Sequence, residues 1–410
     1  MFLLILKRFN CNIFTDHINF EFCKYKLMIN RLSLSLLFLI LILTIGCKGQ
    51  VFQYKTVPVT YRPAVNPAYN SEVQILQNSA ADLTQYLPLD YVTDGSVDYT
   101  KQLQTGIDVN RVVLMPDFPV MISGVHLRNQ STVIFQKNSQ ILMAPSSLVW
   151  YQVLEINNVH DVNVFFANIK GERSQHIGTK GEWGFGIAIE SSKNIRIINP
   201  VVSDCWGDGI YINNKSSPGQ KINSEFNNIF IDGARLDNNR RNGISIIDGT
   251  NITIINSVIS NTNGTMPTSG IDIEPNNGKG ELKNITIDNV TTFNNGSFGI
   301  IVSLTSFVNE KQKDINLTIK NCTDDGSNYG MGYAFGRSKE SDLIYAKGSI
   351  DVINPTWRNS RSRELWLPFY ASKNTIKLNI HNPRVYKKGE LTTSALKPVI
   401  LSNSKNININ

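Results

Sequence analysis

Charge is scarce in this chain. Only 18% of its 410 residues are Asp, Glu, Lys or Arg, and the formal balance is a modest +7. Without residues 1–47, which carry five Lys/Arg and two Asp/Glu, the balance falls to +4. No basic run is interleaved with aromatics, so the sequence gives no footing for a nucleic-acid partner. Helical spacing of apolar residues is nearly absent. Cysteine is sparse too: there are five, and Cys205 and Cys322, the two beyond the N-terminal region, lie far apart and outside any metal-ligand spacing. They read as two buried thiols. No metal site is expected from cysteine or histidine.

What the chain does have is apolar residues, 41% of the total, and abundant Asn, often beside Gly or another Asn. The first pattern predicts a folded body and the second many tight turns. Near the N-terminus, Lys26 and Arg31 precede "LSLSLLFLILILTIGCKGQ". The apolar run is short for a spanning helix and ends at Gly46-Cys47. A basic flank, an apolar core, a small residue and a Cys resemble a bacterial lipoprotein signal, with Thr44 where a Leu is usual. The resemblance implies that Cys47 is lipidated, becomes the first residue after processing and anchors the protein to a membrane at the cell envelope. Residues 1–27 carry no such logic and read as a leader upstream of a start at Met28, with 28–46 the signal peptide and 47–85 a tether.

Self-similarity decides the fold class. "GIAIE" (186–190), "GIYIN" (209–213), "GISII" (243–247), "GIDIE" (270–274) and "GIIVS" (299–303) recur at intervals of 23, 34, 27 and 29 residues. Each is followed by a turn and a second β-rich run such as "KNIRIINPVVSD" or "KNITIDNVTTFNNG". Short strands at a variable period of a few tens of residues predict an all-β solenoid, the parallel β-helix. The inward Ile and Val of successive coils would form one continuous core, with Ile187, Ile210, Ile244 and Ile271 in a single row. Stacked Asn would turn the corners. Residues 86–410 read as one such domain. Within it, 97–145 forms the N-terminal cap and first strands, including a short helix over the open end.

"GSVDYTKQLQ…VLMPDFPV", "GEWGFGIAIESSKNIRIINPVVSDCWGDGIYI", "DNNRRNGISII" and "GIDIEPN" resemble bacterial right-handed parallel β-helix proteins of the pectate-lyase-like superfamily, over roughly residues 90–330. That superfamily holds lyases, hydrolases, epimerases, phage tailspikes and proteins without known activity. The resemblance implies a right-handed coil and a polysaccharide substrate or ligand. The Asp-Asp and Gly-His-Gly pattern of polygalacturonases is absent, as is the Tyr-Gly-Phe-Asp-Pro-His signature of alginate epimerases.

Aligning the Gly-Ile strands places further residues in rows. Two after each Gly come Ala188, Tyr211, Ser245 and Asp272; four after come Glu190, Asn213, Ile247 and Glu274. Trp183, Trp206 and Arg240 stand three before. In "GIDIEPNN" Ile271 and Ile273 should point inward, and Asp272 and Glu274 outward, about 6.6 Å apart at ~3.3 Å per residue. Arg240 and Arg241 fall one coil below and Asp208 two coils below, so a guanidinium between acids would offset their repulsion. The same coils gather Glu182, Trp183, Glu190, Trp206, Tyr211 and His176. Aromatics beside carboxylates are the usual lining of a sugar groove.

Asp272, Glu274, Asp208, Arg240 and Arg241 are therefore the catalytic candidates, and the other six are candidates for holding substrate. Two carboxyls flanking a glycosidic bond would hydrolyse it, one protonated and one ionised. Neighbouring charge would raise the pKa of one acid and Arg would lower that of another. In the lyase alternative Arg240 or Arg241 neutralises a uronate while a base removes a proton, or the acids hold Ca²⁺ through oxygen ligands. Cleavage of a glycan, by either route, is the expectation; the alternative is a non-catalytic glycan-binding or cell-surface structural protein. The sequence is silent on oligomeric state.

Overall fold

The computed structural model describes residues 52–214, 227–277, 280–307, 313–334, 346–367, 375–392 and 406–410. Cys47 and the apolar run before it lie outside the described residues. From Tyr54 onward the chain is a right-handed parallel β-helix, as expected. Each coil places one strand in a nine-stranded sheet and the rest in a twenty-one-stranded sheet. In one coil the strands are Trp183–Glu190, Lys193–Ile198 and Val201–Ser203. Coil stacks on coil through parallel pairing, and among the described residues the exception is the small antiparallel pair Tyr386↔Leu391.

The repeat forms this coil because alternate side chains of every short strand face a common interior. Ile187, Ile210, Ile244, Ile271 and Ile300 are in register along the nine-stranded sheet, and all five are buried. Ile189, Ile212, Ile246, Ile273 and Val302 make a second inner row beside them. Each such side chain contributes about 1.5–3 kcal/mol by leaving water. At the corners, Asn256, Asn289, Asn321 and Asn354 adopt positive φ, a region that Asn tolerates. Their amides bond from coil to coil: Asn289 Nδ2 donates to Asn256 Oδ1 at 2.9 Å, and Asn354 Nδ2 to Asn321 Oδ1 at 3.0 Å.

The expected capping helix is Thr100–Val109. It lays Leu103 and Ile107 on the open end of the core, against Leu83 and Leu87. Gly106 permits that contact, because a Cβ there would sit 2.4 Å from Leu83 Cδ2. Cys205 and Cys322 are buried free thiols.

The stretch 47–85 corrects one expectation. Its described part, from residue 52, is not a free tether. The helix Pro67–Gln77, started by Asn66 and a proline in its first turn, packs Val73 into a cluster with Ile134, Phe165 and Ile198. Three tyrosine hydroxyls reach acids of the solenoid: Tyr54 donates to Asp237 at 2.8 Å, Tyr61 to Asp325 at 2.7 Å and Tyr69 to Asp232 at 2.6 Å. Glu72 accepts both terminal nitrogens of Arg196, at 2.7 and 3.0 Å. This segment is a strap bound along the coils. It escapes the repeat because its anchors are tyrosine hydroxyls and a short helix, not Gly-Ile strands.

Candidate functional site

Of the residues that the sequence singles out, Trp183, Glu190, Tyr211 and Asp272 lie on strands of the nine-stranded sheet, and the rest lie in the turns and loops that flank those strands. Ala188, Tyr211, Ser245, Asp272 and Ile301 stand in register, one step along each strand from the inner isoleucines. The expected order of coils is correct. The expected exposure is not: Asp272 and Asp208 point away from the apolar core yet are only 1% and 0% accessible. Neighbouring coils and corner residues cover them.

Covering changes the electrostatics. Asp208 is well bound: Arg241 Nη1 donates to Oδ2 at 2.9 Å, Ser245 Oγ to Oδ2 at 2.8 Å and the Asn242 backbone N–H to Oδ1 at 2.9 Å. Burial nevertheless pushes its pKa up, outweighing Arg241 and these bonds. Asp272 is poorly bound. It accepts one bond, from Asn242 Nδ2 at 3.1 Å, and its Oδ1 has no hydrogen-bond partner among the described residues. Burial, then the charge of Glu274, push its pKa well above the carboxylate range, against Arg241. The expectation that Arg would lower the pKa of one acid therefore fails for both aspartates, because desolvation is the larger effect. Burial works against the Arg241 charge too, but Asp208, Asp272 and Glu182 hold its pKa above the usual guanidinium value. Glu274 is half-buried and accepts from Ser303 Oγ at 3.1 Å. The acids thus divide into a fully bonded Asp208, an underbonded Asp272 disposed to keep its proton, and a more accessible Glu274.

Arg240 does not join the acids. Its guanidinium lies 3.7 Å from the centre of the Trp206 ring and donates to the Gly181 and Trp206 carbonyls at 3.0 and 3.2 Å. Burial lowers its pKa, against Glu182 and Glu172. On the other side of Trp206, His176 stacks at 3.8 Å and its Nδ1 is 2.9 Å from Glu172 Oε1. The Tyr151 hydroxyl donates to the same Glu172 oxygen, while Glu172 Oε2 has no partner among the described residues. Burial first, then this carboxylate, raise the Tyr151 pKa far above the ordinary phenol value. Gly184 makes room for the phenol, since a Cβ there would meet the Tyr151 hydroxyl at 2.4 Å.

The six candidates for holding substrate separate by exposure. Trp206, Tyr211 and Glu190 are buried, and the His176 side chain is 2% accessible. Tyr211 lies flat against Phe185 with ring centres 4.2 Å apart. These residues are walls, not open platforms. Trp183 is 41% accessible and Glu182 half-buried, so both remain able to meet a ligand. Trp183 is paired with Trp150, a residue the sequence reading passed over. Trp150 is 46% accessible, and the two ring centres are 6.2 Å apart.

Trp150 had a signal: "WYQVLEIN" aligns with "WGFGIAIE" as the preceding coil, and extending the rows one repeat earlier would have found it. Glu172, in the turn "KGERS", had none. Among the described residues no three His, Cys, Asp or Glu side chains converge as a metal site. Of the acids considered for Ca²⁺, Asp208 accepts from Arg241, Ser245 and Asn242, Asp272 from Asn242 and Glu274 from Ser303.

No protein-family model matches the chain. An uncharacterized Bacillus subtilis (strain 168) protein, YclG, is 32% identical over 196 residues, covering 43% of this chain and 33% of its own length. The SPbeta prophage-derived uncharacterized protein YorA of the same strain is 27% identical over 168 residues, covering 38% and 28%. The chain thus spans about a third or less of the curated relatives it matches. Among solved structures, it superimposes on the 1,3-alpha-1,4-beta-D-galactose-4-sulfate-3,6-anhydro-D-galactose-2-sulfate 4 galactohydrolase with a TM-score of 0.51 at 12% identity, covering 74% of this chain and 75% of that one. The pre-mature bacteriophage phi29 gene product 12 gives a TM-score of 0.50 at 15% identity, covering 78% and 52%. These likenesses share the β-helix fold.

Proposed function

We propose that this chain acts on a polysaccharide along its nine-stranded sheet and hydrolyses it, with Asp272 and Glu274 as the proton-transferring carboxyls and Trp150 and Trp183 as the sugar platform. The observation that carries the reading is the state of Asp272. Asp208 has both oxygens bonded, whereas Asp272, like Glu172 and Asp324, leaves one oxygen unpartnered among the described residues; what sets Asp272 apart is Glu274 two residues on along the same strand, whose charge adds to burial in raising its pKa. Hydrolysis needs one proton-donating and one proton-accepting carboxyl, and in this reading Asp272 is the donor and the more accessible Glu274 its partner. The galactohydrolase that shares the fold supports the reading at the level of architecture.

Elimination is less well supported. It calls for a cation free to neutralise a uronate, but Arg241 is engaged with Asp208 and Arg240 with Trp206 and two carbonyls. The non-catalytic alternative is favoured by a different observation, the burial of both aspartates on a face whose exposed rings belong to Trp150 and Trp183. Incubating the protein with a glycan panel and weighing the products separates the three. Saturated reducing ends are expected. Unsaturated uronates would establish a lyase, and binding without products a carbohydrate-binding protein. In the expected case Asp272→Asn and Glu274→Gln each reduce turnover by about 10² or more, and wild-type turnover in both variants would remove the assignment.

We also propose anchoring through Cys47 at the cell envelope. Cys47→Ser should release the protein from membranes or stall its processing. Equal fractionation of the two forms, with neither taking up labelled fatty acid, would defeat the anchor.

A further inference from the structure

A recess lies away from the nine-stranded sheet, where the strap meets the solenoid. It is a cavity of about 490 Å³, within the usual range for a small-ligand site. Val65 and Asn70 of the strap form one wall; Phe166, Asn199, Lys137 and Arg235 of the coils form the other. Three features of this lining bear on what it could hold.

The first is unbalanced positive charge. Arg235 and Lys137 make no ion pair among the described residues, whereas Arg196 is held by Glu72. Burial first, and then the charge of another cation, Arg62, lower the Arg235 pKa. Two guanidiniums within each other's field repel. An anion would relieve that repulsion.

The second feature is a buried donor. Asn199 is 7% accessible, lines the recess, and its Nδ2 has no hydrogen-bond partner among the described residues. Leaving such an amide unsatisfied is unfavourable, so an acceptor that reaches it from the recess is the natural complement. The third is Phe166. It sits at positive φ, unusual for a bulky residue, and is half-buried on the recess wall, where its ring offers an apolar surface.

We propose that this recess binds an acidic sugar, a uronate residue whose carboxylate meets Arg235 and Lys137, whose ring lies against Phe166 and whose hydroxyl or ring oxygen accepts from Asn199. The cations and the amide call for an anion with further oxygen acceptors; the choice of a sugar rests on the polysaccharide reading above. The site would hold a chain end or side branch of an acidic glycan away from the cleavage face, so that one molecule engages its polymer at two places.

The test is calorimetric titration of the purified full-length chain with trigalacturonate, its carboxyl-reduced neutral counterpart and sodium sulfate, at low and high salt. Trigalacturonate should bind, more weakly at high salt, and the neutral trisaccharide should bind at least about tenfold less tightly. Arg235→Gln with Lys137→Gln should lower trigalacturonate affinity by the same factor, and Asn199→Ala by a smaller one, while Asp272→Asn leaves it unchanged. No trigalacturonate binding, binding that survives Arg235→Gln with Lys137→Gln, or loss on Asp272→Asn instead, would each overturn the proposal. Sulfate binding as tight as trigalacturonate would overturn the sugar and leave a bare anion site. Turnover on the glycan panel is scored separately in Arg235→Gln with Lys137→Gln, which does not touch the nine-stranded sheet. Failure of the recess and failure of the cleavage reading therefore give different results.

Discussion

The inner and outer rows of the nine-stranded sheet belong to the same strands and differ by one residue step. The inner row reads Ile187, Ile210, Ile244, Ile271, Ile300; the outer reads Ala188, Tyr211, Ser245, Asp272, Ile301. The inner row must fill the same space in every coil, so it repeats. The outer row has no such duty and varies. The sharpest way to break the comparison is one substitution on each side of a single step. Ile244→Asp would bury an unpaired carboxylate in the continuous core and should cost several kcal/mol. The expected outcome is loss of soluble, cooperatively melting protein. Ser245→Ala, its immediate neighbour, removes a hydroxyl that donates to Asp208 at 2.8 Å and should cost only about 0.5–1.5 kcal/mol by thermal or denaturant melting. Equal losses would mean that the two rows are not separate in function.

A second contrast lies within the outer face. Asp208 and Asp272 are equally buried, but Asp208 holds Arg241 and Asp272 does not. Asp208→Ala would leave the Arg241 guanidinium unpaired in a mostly buried place and should cost about 3–5 kcal/mol. Asp272→Asn keeps shape and neutrality and should cost little near neutral pH. The pH dependence separates them further. The folded-state pKa of Asp272 is raised, so folding favours the protonated acid. Its contribution is full below the unfolded carboxylate value, about 3.9, and is lost as pH rises through the folded value. Melting across that window should show wild-type stability falling relative to Asp272→Asn as pH increases. A parallel pair of curves would show that Asp272 is ionised in the fold and would remove its role as the acid.

These contrasts also mark what the sequence makes legible. Strand register was readable because Gly-Ile recurs and alternation leaves one choice of face: the inner row and the four outer residues Ala188, Tyr211, Ser245 and Asp272 fall where the repeat puts them. Depth was not readable. Alternation says which face a residue takes and nothing about what lies over that face, so Asp208, Glu190 and Tyr211 were expected to be open and are covered. Side-chain partners were readable only within one coil step. Arg241 meets Asp208 as the spacing suggests, while the adjacent Arg240 turns to Trp206, a choice set by ring stacking and two free carbonyls. The strap and Glu172 depend on contacts between segments far apart in sequence, and neither follows the repeat.

The smallest effect on stability, and the most direct reading of the outer face as a surface for ligands, should come from Trp183. Its ring is 41% accessible and tilted by 42° to that of Trp150, so it is only partly committed to packing. A residue so placed contributes little to the core, and Trp183→Ala should shift stability by no more than about 0.5 kcal/mol. If the ring is a sugar platform, the same change removes a stacking surface and should weaken glycan binding by roughly tenfold, near the 1.4 kcal/mol expected of one aromatic contact. Tyr211→Ala is the control. That ring is buried against Phe185, and its loss should lower stability by about 3–5 kcal/mol. Melting and glycan titration of the two variants therefore give opposite patterns if the exposed tryptophans meet sugar. A Trp183→Ala protein that binds glycan as tightly as wild type would move the platform elsewhere on the sheet.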